Sequence, residues 1–429
     1  MARRIAPIAA ALAVALVATA CSDGATAKTR VVLQAFADPA ESAAYQRLIS
    51  AFEQENQDVE VKLVPVGSQG DHVAKLATDF SAGNPPDLFL INYRRFGQFA
   101  DNGVLEPLRA HLERSRVFKV DDMYPQAVDA FTFEGTLLCL PQNISTPVIY
   151  WNRELFSEAG LAPPADGWTW DDMLATAKAL TKDDNGDGII DIRGLGFEPS
   201  LNRFAPFIWQ AGGSIVDDLE NPTKMSLFDP GAIEALKFIS ELQYKHHVVP
   251  TRPEFESEDP EHMFANGRLG MLIESRRATT ALRVVESLDW DVAPLPVHPE
   301  RREPAVMLHS DAYCMAKSST VKNAAFRFVE FALGPKGAPI LARTGRTVPS
   351  LRSVAESRAF LDPGQPPESA QVFLDQIPAI MRFPNIAAWN EIESKADPIV
   401  EEWSFSNEPP QAFGLEISVA TLELLLTPP

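Results

Sequence analysis

The chain is predicted to fold as a layered α/β protein with mainly parallel sheets, on three observations. Strand-like and helix-like segments alternate through the first hundred residues. One strand segment, Asp87 to Ile91, is short and nearly all apolar, as expected of a strand covered on both faces. And 429 residues, 45% of them hydrophobic, are enough for two or three domains, each with a core of its own.

In chain order, Arg30 to Phe36 (RVVLQAF) is the first buried strand. Glu41 to Phe52 places Ala44, Tyr45, Leu48, Ile49 and Phe52 on one helical face. Val59, Val61 and Leu63 alternate with charged residues, a strand signature. A helix follows over 71–82, stopped by Gly83-Asn84-Pro85-Pro86, and Asp87 to Ile91 (DLFLI) is the next strand. After a polar helical stretch, Leu137 to Leu140 and Pro147 to Trp151 are strands and Trp170 to Thr181 a helix. Asp229-Pro230 opens another helix, with Asp suited to the N-cap and Pro to the first turn. Leu269 to Ile273 and Trp290 to Ala293 are strands, Ala324 to Leu333 is an amphipathic helix, and 361–370 is loop-rich.

Composition narrows the function classes. With 38 basic against 58 acidic side chains and a net charge of −20, the chain lacks the basic footprint of a nucleic-acid binder. A few arginines inside a cleft could still attract a small anion. A mean hydropathy of −0.09 and 22% charged residues describe a soluble globular protein. The N-terminus carries Arg3 and Arg4, then an apolar stretch from Ile5 to Val17 too short to span a bilayer comfortably, then Ala18-Thr19-Ala20-Cys21. This is an export signal, and the cysteine after small residues is similar to a bacterial lipobox, although Ala18 stands where Leu is usual. Lipid on Cys21 would tether the protein to a membrane surface, with Ser22 to Thr29 as a polar spacer. Cys139 and Cys314 then remain, 175 positions apart, either bonded or as two buried thiols.

No H-E-x-x-H, G-x-S-x-G or G-x-x-x-x-G-K-[ST] is present. Asp183, Asn185, Asp187 and Asp191 occupy the first, third, fifth and ninth positions of an EF-hand-like loop, with Gly188 at the sixth. The twelfth position is Gly194 where a bidentate Glu belongs. The loop is therefore either a structural calcium site or an acidic, solvated connection; no other cofactor is required.

Several blocks together resemble the extracellular solute-binding proteins of ABC importers, in the carbohydrate-binding family that includes maltose-binding protein. They are LISAFEQENQDVEVKLVPV (Leu48 to Val66), FSAGNPPDLFLINYRRFGQFADNGVLEPL (Phe80 to Leu108) and EGTLLCLPQNISTPVIYWNRELFSEAGL (Glu134 to Leu161), followed by WTWDDMLATAKALT, FIWQAGGSIVD, FANGRLGMLIE, WDVAPLP and AAFRFVEFALG. The resemblance implies a two-lobed periplasmic-binding-protein fold with a ligand cleft between hinged lobes. Residues 1–20 would be the signal peptide and 21–29 the tether. The first lobe would take 30–138 and 316–349, and the second 139–315 and 350–429 with the hinge strands. Those strands are neighbours in the family, which implies that Cys139 and Cys314 lie close enough to bond.

Ligand-binding residues follow from the matched segments: Asp38 and Glu41 after the first strand; Asn92, Tyr93, Arg94 and Arg95 after PDLFLI; Asn143 and Ser145 past the hinge; Asn202 and Arg203; Trp209 and Gly212 in WQAGG; Arg276 and Arg277; and Trp389. Aromatic planes stack on the C–H face of a sugar and polar groups bond its hydroxyls. Trp290 and Trp403 are expected in the core. Compared with maltose-binding protein, Ile91 and Arg277 stand at aromatic cleft positions and Arg94 replaces an acid. Guanidinium forks suit carboxylate or phosphate oxygens, unless these arginines pair with the chain's own acids. The implied function is capture of a carbohydrate, neutral, acidic or phosphorylated, by a monomer that closes on it and delivers it to an ABC permease. A carbohydrate-active enzyme, a glycerophosphodiester-binding protein and a sensory binding protein are the alternatives.

Overall fold

A computed structural model describes residues 27–426. The expected signal peptide and Cys21 lie outside the described residues. Two sheets organise the chain. The first has β1 (Thr29–Phe36) flanked by β2 (Val59–Val66) and β3 (Leu88–Asn92), all parallel. It is completed by β9 (Asp311–Met315) and β4 (Cys139–Pro141), each antiparallel to its neighbour, in the order β2-β1-β3-β9-β4. The second sheet contains β5 (Val148–Asn152), β6 (Arg193–Gly196), β7 (Leu269–Glu274) and β8 (Trp290–Ala293), in the order β8-β5-β7-β6. The two strands that the resemblance puts at the hinge, Leu137 to Pro141 and Ala312 to Ala316, thus meet as β4 and β9 inside the first sheet.

The helices form where the sequence patterns require them. α1 (Pro39–Glu55) starts with Asp38 accepting from Glu41 N while Glu41 reaches back to Asp38 N, a reciprocal cap on two otherwise unpaired amides. Its buried face is Ala44, Tyr45, Leu48, Ile49 and Phe52, the residues that helical spacing selects. α2 (Gln69–Ser81) is capped by Ser68, and α3 (Tyr93–Asp101) by Asn92, whose Oδ1 accepts from Arg94 N. α4 (Leu201–Gln210) and the five-residue α5 (Ala278–Leu282) belong with the second sheet. Two C-terminal helices, α6 (Trp389–Ser404) and α7 (Pro410–Leu426), pack on each other; α6 also touches α3 of the first lobe and α4 of the second.

Three connections run side by side between the sheets. Ser145 and His309 exchange backbone hydrogen bonds of 2.8 Å each, Ile144 N donates to Val348 O at 2.9 Å, and Ser350 N to Gln142 O at 3.2 Å. Next to them Cys139 and Cys314 stand opposite each other on β4 and β9 and are joined by a disulfide, both fully buried. Among the described residues, no helix is long and apolar enough to cross a membrane.

Candidate functional site

Each sheet ends its strands toward the same space. Phe36 closes β1, Asn92 closes β3, Asn143 follows β4, Glu198 follows β6 and Glu274 closes β7; antiparallel β9 begins there with Asp311. Loops beyond the carboxyl ends of strands are where open α/β sheets place ligands, because there the chain leaves the ladder with free polar groups. A cavity of about 460 Å³ lies in this space, with walls from both lobes.

Two acids organise its arginines. Glu393 of α6 receives Arg94 Nη1 and Arg95 Nη1, each at 2.8 Å, and Trp389 Nε1 at 3.1 Å. Glu274 receives Arg203 Nη2 at 2.7 Å and Arg277 Nη2 at 3.3 Å, together with Ser275 N at 2.6 Å. Burial pushes the Glu274 carboxyl up, but Arg203 and Arg277 outweigh it and hold the group well below the usual carboxylate range. Arg277 is shared, its Nη2 lying 3.0 Å from Glu261 as well, so each of these four guanidiniums has an acid of the chain beside it. His309 is kept neutral by burial and by Arg203 and Arg94. Its Nε2 lies 3.4 Å from Arg203 Nη1, which can only donate, so the ring proton belongs on Nδ1.

On the first-lobe side, Asp311 bridges two amides. Asn92 Nδ2 donates to its Oδ1 at 3.2 Å and Asn143 Nδ2 to its Oδ2 at 3.1 Å. Gln142 Nε2 donates to Tyr45 Oη at 3.0 Å. His72 donates from Nε2 to Leu90 O at 2.7 Å, since a carbonyl only accepts, and burial lowers its pKa. Arg346 pairs with Glu41 and, at 3.3 Å, with Asp38. Burial raises the Glu41 pKa to about 7 against the pull of Arg346. Three buried polar atoms on this lining, Ser145 Oγ, Asn202 Oδ1 and Arg203 Nε, have no hydrogen-bond partner among the described residues.

Of the residues expected at the site, Glu41, Asn92, Arg94, Arg95, Asn143, Ser145, Asn202, Arg203 and Arg277 line the cavity. Six do not. Asp38 caps α1 and lines the adjoining groove. Tyr93 is fully buried beside Arg94, its hydroxyl 3.7 Å from Met307 Sδ and accepting from Phe383 N at 3.3 Å. Arg276 turns into the second lobe, between the rings of Phe360 and Phe373 at 4.6 and 4.8 Å, with Nε on Gly345 O; burial lowers its pKa to about 9. Trp389 is fully buried and supports Glu393 from behind. Trp209 and Gly212 lie at the far end of α4, whose N-terminus carries Asn202 and Arg203. At about 1.5 Å rise per residue they sit roughly 10 Å away, Trp209 packed against Phe383 and Gly212 in a turn at φ +77° beside Arg301. With both tryptophans elsewhere, Phe36 and Tyr45 are the Phe, Tyr or Trp residues on the cavity wall.

Several wall residues escape sequence reasoning, among them Gln142, Glu198, Glu274, His309, Asp311 and Arg346. Their signal is position: Glu198, Glu274 and Asp311 are acids at or near strand termini. Glu393, which holds two arginines, has no such mark.

The 183–191 loop folds on itself. Asp183 accepts from Gly186 N and Gly188 N, both at 2.7 Å, Asn185 from Asp187 N, Asp187 from Ile189 N, and Asp191 from Asp184 N.

Two lobes, three side-by-side connections and a polar cavity between them define a hinged binding protein. Residues 37–339 match the bacterial extracellular solute-binding protein family, and the chain belongs to it. An ABC substrate-binding protein from Listeria monocytogenes, solved in complex with cycloalternan, superposes with a TM-score of 0.82 at 25% identity, covering 92% of this chain and 99% of its own. UgpB from Mycobacterium tuberculosis, in complex with glycerophosphocholine, has the same fold, with a TM-score of 0.80 at 21% identity over 93% of this chain and 98% of its own. The galactooligosaccharide-binding protein of Bacillus subtilis (strain 168) is 22% identical over 366 residues, 84% of this chain and 81% of its own.

Proposed function

We propose that this protein captures a hydroxyl-rich, carbohydrate-like solute between its lobes and delivers it to the permease of an ABC importer. The observation that carries this reading is the cavity at the strand ends, where unpartnered Ser145 Oγ, Asn202 Oδ1 and Arg203 Nε share one lining. Buried polar atoms without partners cost free energy, and a polyol supplies donors and acceptors to all three. Residues from both lobes contribute, so a bound solute favours closure. The named ligands of its relatives, cycloalternan and galactooligosaccharide among them, support a sugar.

A second reading, an acidic or phosphorylated solute, is favoured by the five arginines on one cavity wall, Arg94, Arg95, Arg203, Arg277 and Arg346. Glycerophosphocholine in a relative of the same fold is of that class. Thermal-shift measurement on protein from Ser22 onward, against neutral sugars, uronic acids and glycerophosphodiesters, tests both. A shift with the ligand recovered intact supports capture, and its charge class decides between the readings; no shift, or a cleaved ligand, refutes capture. If only neutral sugars bind, and Arg94→Ala and Arg277→Ala leave affinity unchanged, the anionic reading fails.

The same proposal places the protein outside the cytoplasm on a lipid at Cys21, as a monomer. Fatty-acid labelling that survives Cys21→Ala would refute the anchor, and a dimer in size-exclusion chromatography the monomer. Structural calcium at Asp183, Asn185, Asp187 and Asp191 is part of the proposal through their oxygen ligands at alternate positions. Unchanged melting in millimolar calcium and in chelator would remove it.

A further inference from the structure

The cleft continues past the arginine cavity. Beyond the Glu41–Arg346 ion pair a second chamber of about 640 Å³ opens between the first turns of α1 and the region of α5. It shares Glu41, Tyr45, Gln142, Arg277, Arg346 and Thr347 with the first, so the two form one continuous groove. The chemistry of the walls changes along it. Pro39, Ala40 and Ala44 of the first lobe face a lining that includes Ala281, Val284 and Leu341. Val284 is 78% exposed and Ala40 and Ala281 are also exposed, an apolar surface left open to solvent beside a polar, arginine-rich cavity. Asp38, Glu261 and Thr280 also line the chamber, but the aliphatic stretches between them offer a hydroxyl no partner, whereas an apolar group would be taken out of water there. The Glu41–Arg346 pair stands where the two environments meet.

Resting on the reading of the arginine cavity as the solute site, we propose that the natural ligand has two parts. A hydroxyl-rich head occupies the arginine cavity, and an apolar substituent, a short alkyl chain or an aryl ring, lies between α1 and the Ala281–Val284 wall. The ligand class is a substituted glycoside or glycerophosphodiester, and the groove discriminates in favour of the conjugate over its free head group.

Isothermal titration of the protein from Ser22 onward with a paired panel tests this. The panel holds neutral sugars, uronic acids and glycerophosphodiesters, each free and as its p-nitrophenyl or hexyl conjugate. The expected result is at least tenfold tighter binding of the conjugate than of its free parent. The doubly substituted Ala40→Glu, Val284→Glu protein, altered only at exposed positions, should lose that preference while binding the free parent as before. Equal affinities for free and conjugated forms overturn the inference and leave solute capture standing. A preference that survives in the double variant places the substituent elsewhere and overturns it too. No binding by any member of the panel refutes the capture reading, and the inference with it. Should the variant fail to fold, the comparison on the unaltered protein still decides.

Discussion

Removing one guanidinium from Glu274 leaves a buried carboxylate short of compensation, and this makes Arg203 the most consequential single residue of the site. Arg203 and Glu274 are 5% and 4% exposed and 2.7 Å apart. Breaking a buried pair from one side typically costs about 3 kcal/mol or more, because the remaining charge stays out of water. Arg203→Ala should therefore lower unfolding free energy by about 3 kcal/mol in urea titration; a loss under about 1 kcal/mol would mean that Arg277 alone suffices. Glu41 supplies a pH dependence. Its folded pKa of about 7 lies above the ordinary 4.5, so the native state binds the proton more tightly. The stability this group contributes is full below about 4.5 and is lost as pH rises through about 7. Glu41→Gln should flatten the fall in melting temperature across that window, and an unchanged slope would assign it to another group. These arginines reach the candidate site through the family resemblance, by the segments they stand in. Their partners are not legible in the sequence, since Arg94 meets Glu393 across 299 positions and Arg203 meets Glu274 across 71. Trp389 is different: its indole serves Glu393 one turn further along α6, so the ring is inside and not on the cavity wall.

Elements are legible where their signal is local. Helical spacing picks out the buried face of α1 residue for residue, and apolar runs locate β1, β3, β5, β7 and β8, because burial on a regular element imposes a period. Segment 137–140 shows the limit: it divides into a two-residue strand, Thr136–Leu137, and β4, a change of partner that no local pattern encodes. Sheet order is likewise long-range. The family resemblance implies that β9 neighbours β4; that it also pairs with β3 and so inserts between them is seen only in the structure. The disulfide fixes this insertion covalently, closing a loop of 175 positions between directly opposed residues of neighbouring strands. Cross-links over long loops act mainly by restricting the unfolded chain, so the double substitution Cys139→Ser, Cys314→Ser should cost about 2–5 kcal/mol. Both strands keep their backbone ladder, and the variant should fold with unchanged circular dichroism. Chemical denaturation measures the loss; no loss, or free thiols in the exported parent, would show that the bond does not contribute.

At the scale of the whole molecule, the question is what couples a ligand to the arrangement of the lobes. The connections at 142–145, 308–310 and 348–350 are held together by backbone hydrogen bonds, so they bend as one unit and permit a hinge motion more readily than a sliding one. The C-terminal α6 adds a link across the lobes: it holds Arg94 and Arg95 through Glu393 and also packs on α4, the helix that carries Arg203. A solute touching Asn92 and Asn143 on one side and Arg203 and Arg277 on the other gains contacts from both only in the closed form. Shifting a mostly open population to a mostly closed one requires about 10⁴-fold tighter binding to the closed state, about 5.5 kcal/mol. That difference is within reach of a few charge-assisted hydrogen bonds at about 1.5–3 kcal/mol each. Spin labels at Glu55→Cys on the first lobe and Lys237→Cys on the second, both exposed, report the separation by pulsed electron resonance. Saturating ligand should narrow the distance distribution and move it to shorter values. In Arg203→Ala, first-lobe contacts persist while the second-lobe gain is reduced, so binding should weaken and the distribution stay broad at the same ligand concentration. Identical distributions with and without ligand would show a rigid cleft, and capture would then have to be signalled to the permease by the ligand itself and not by closure.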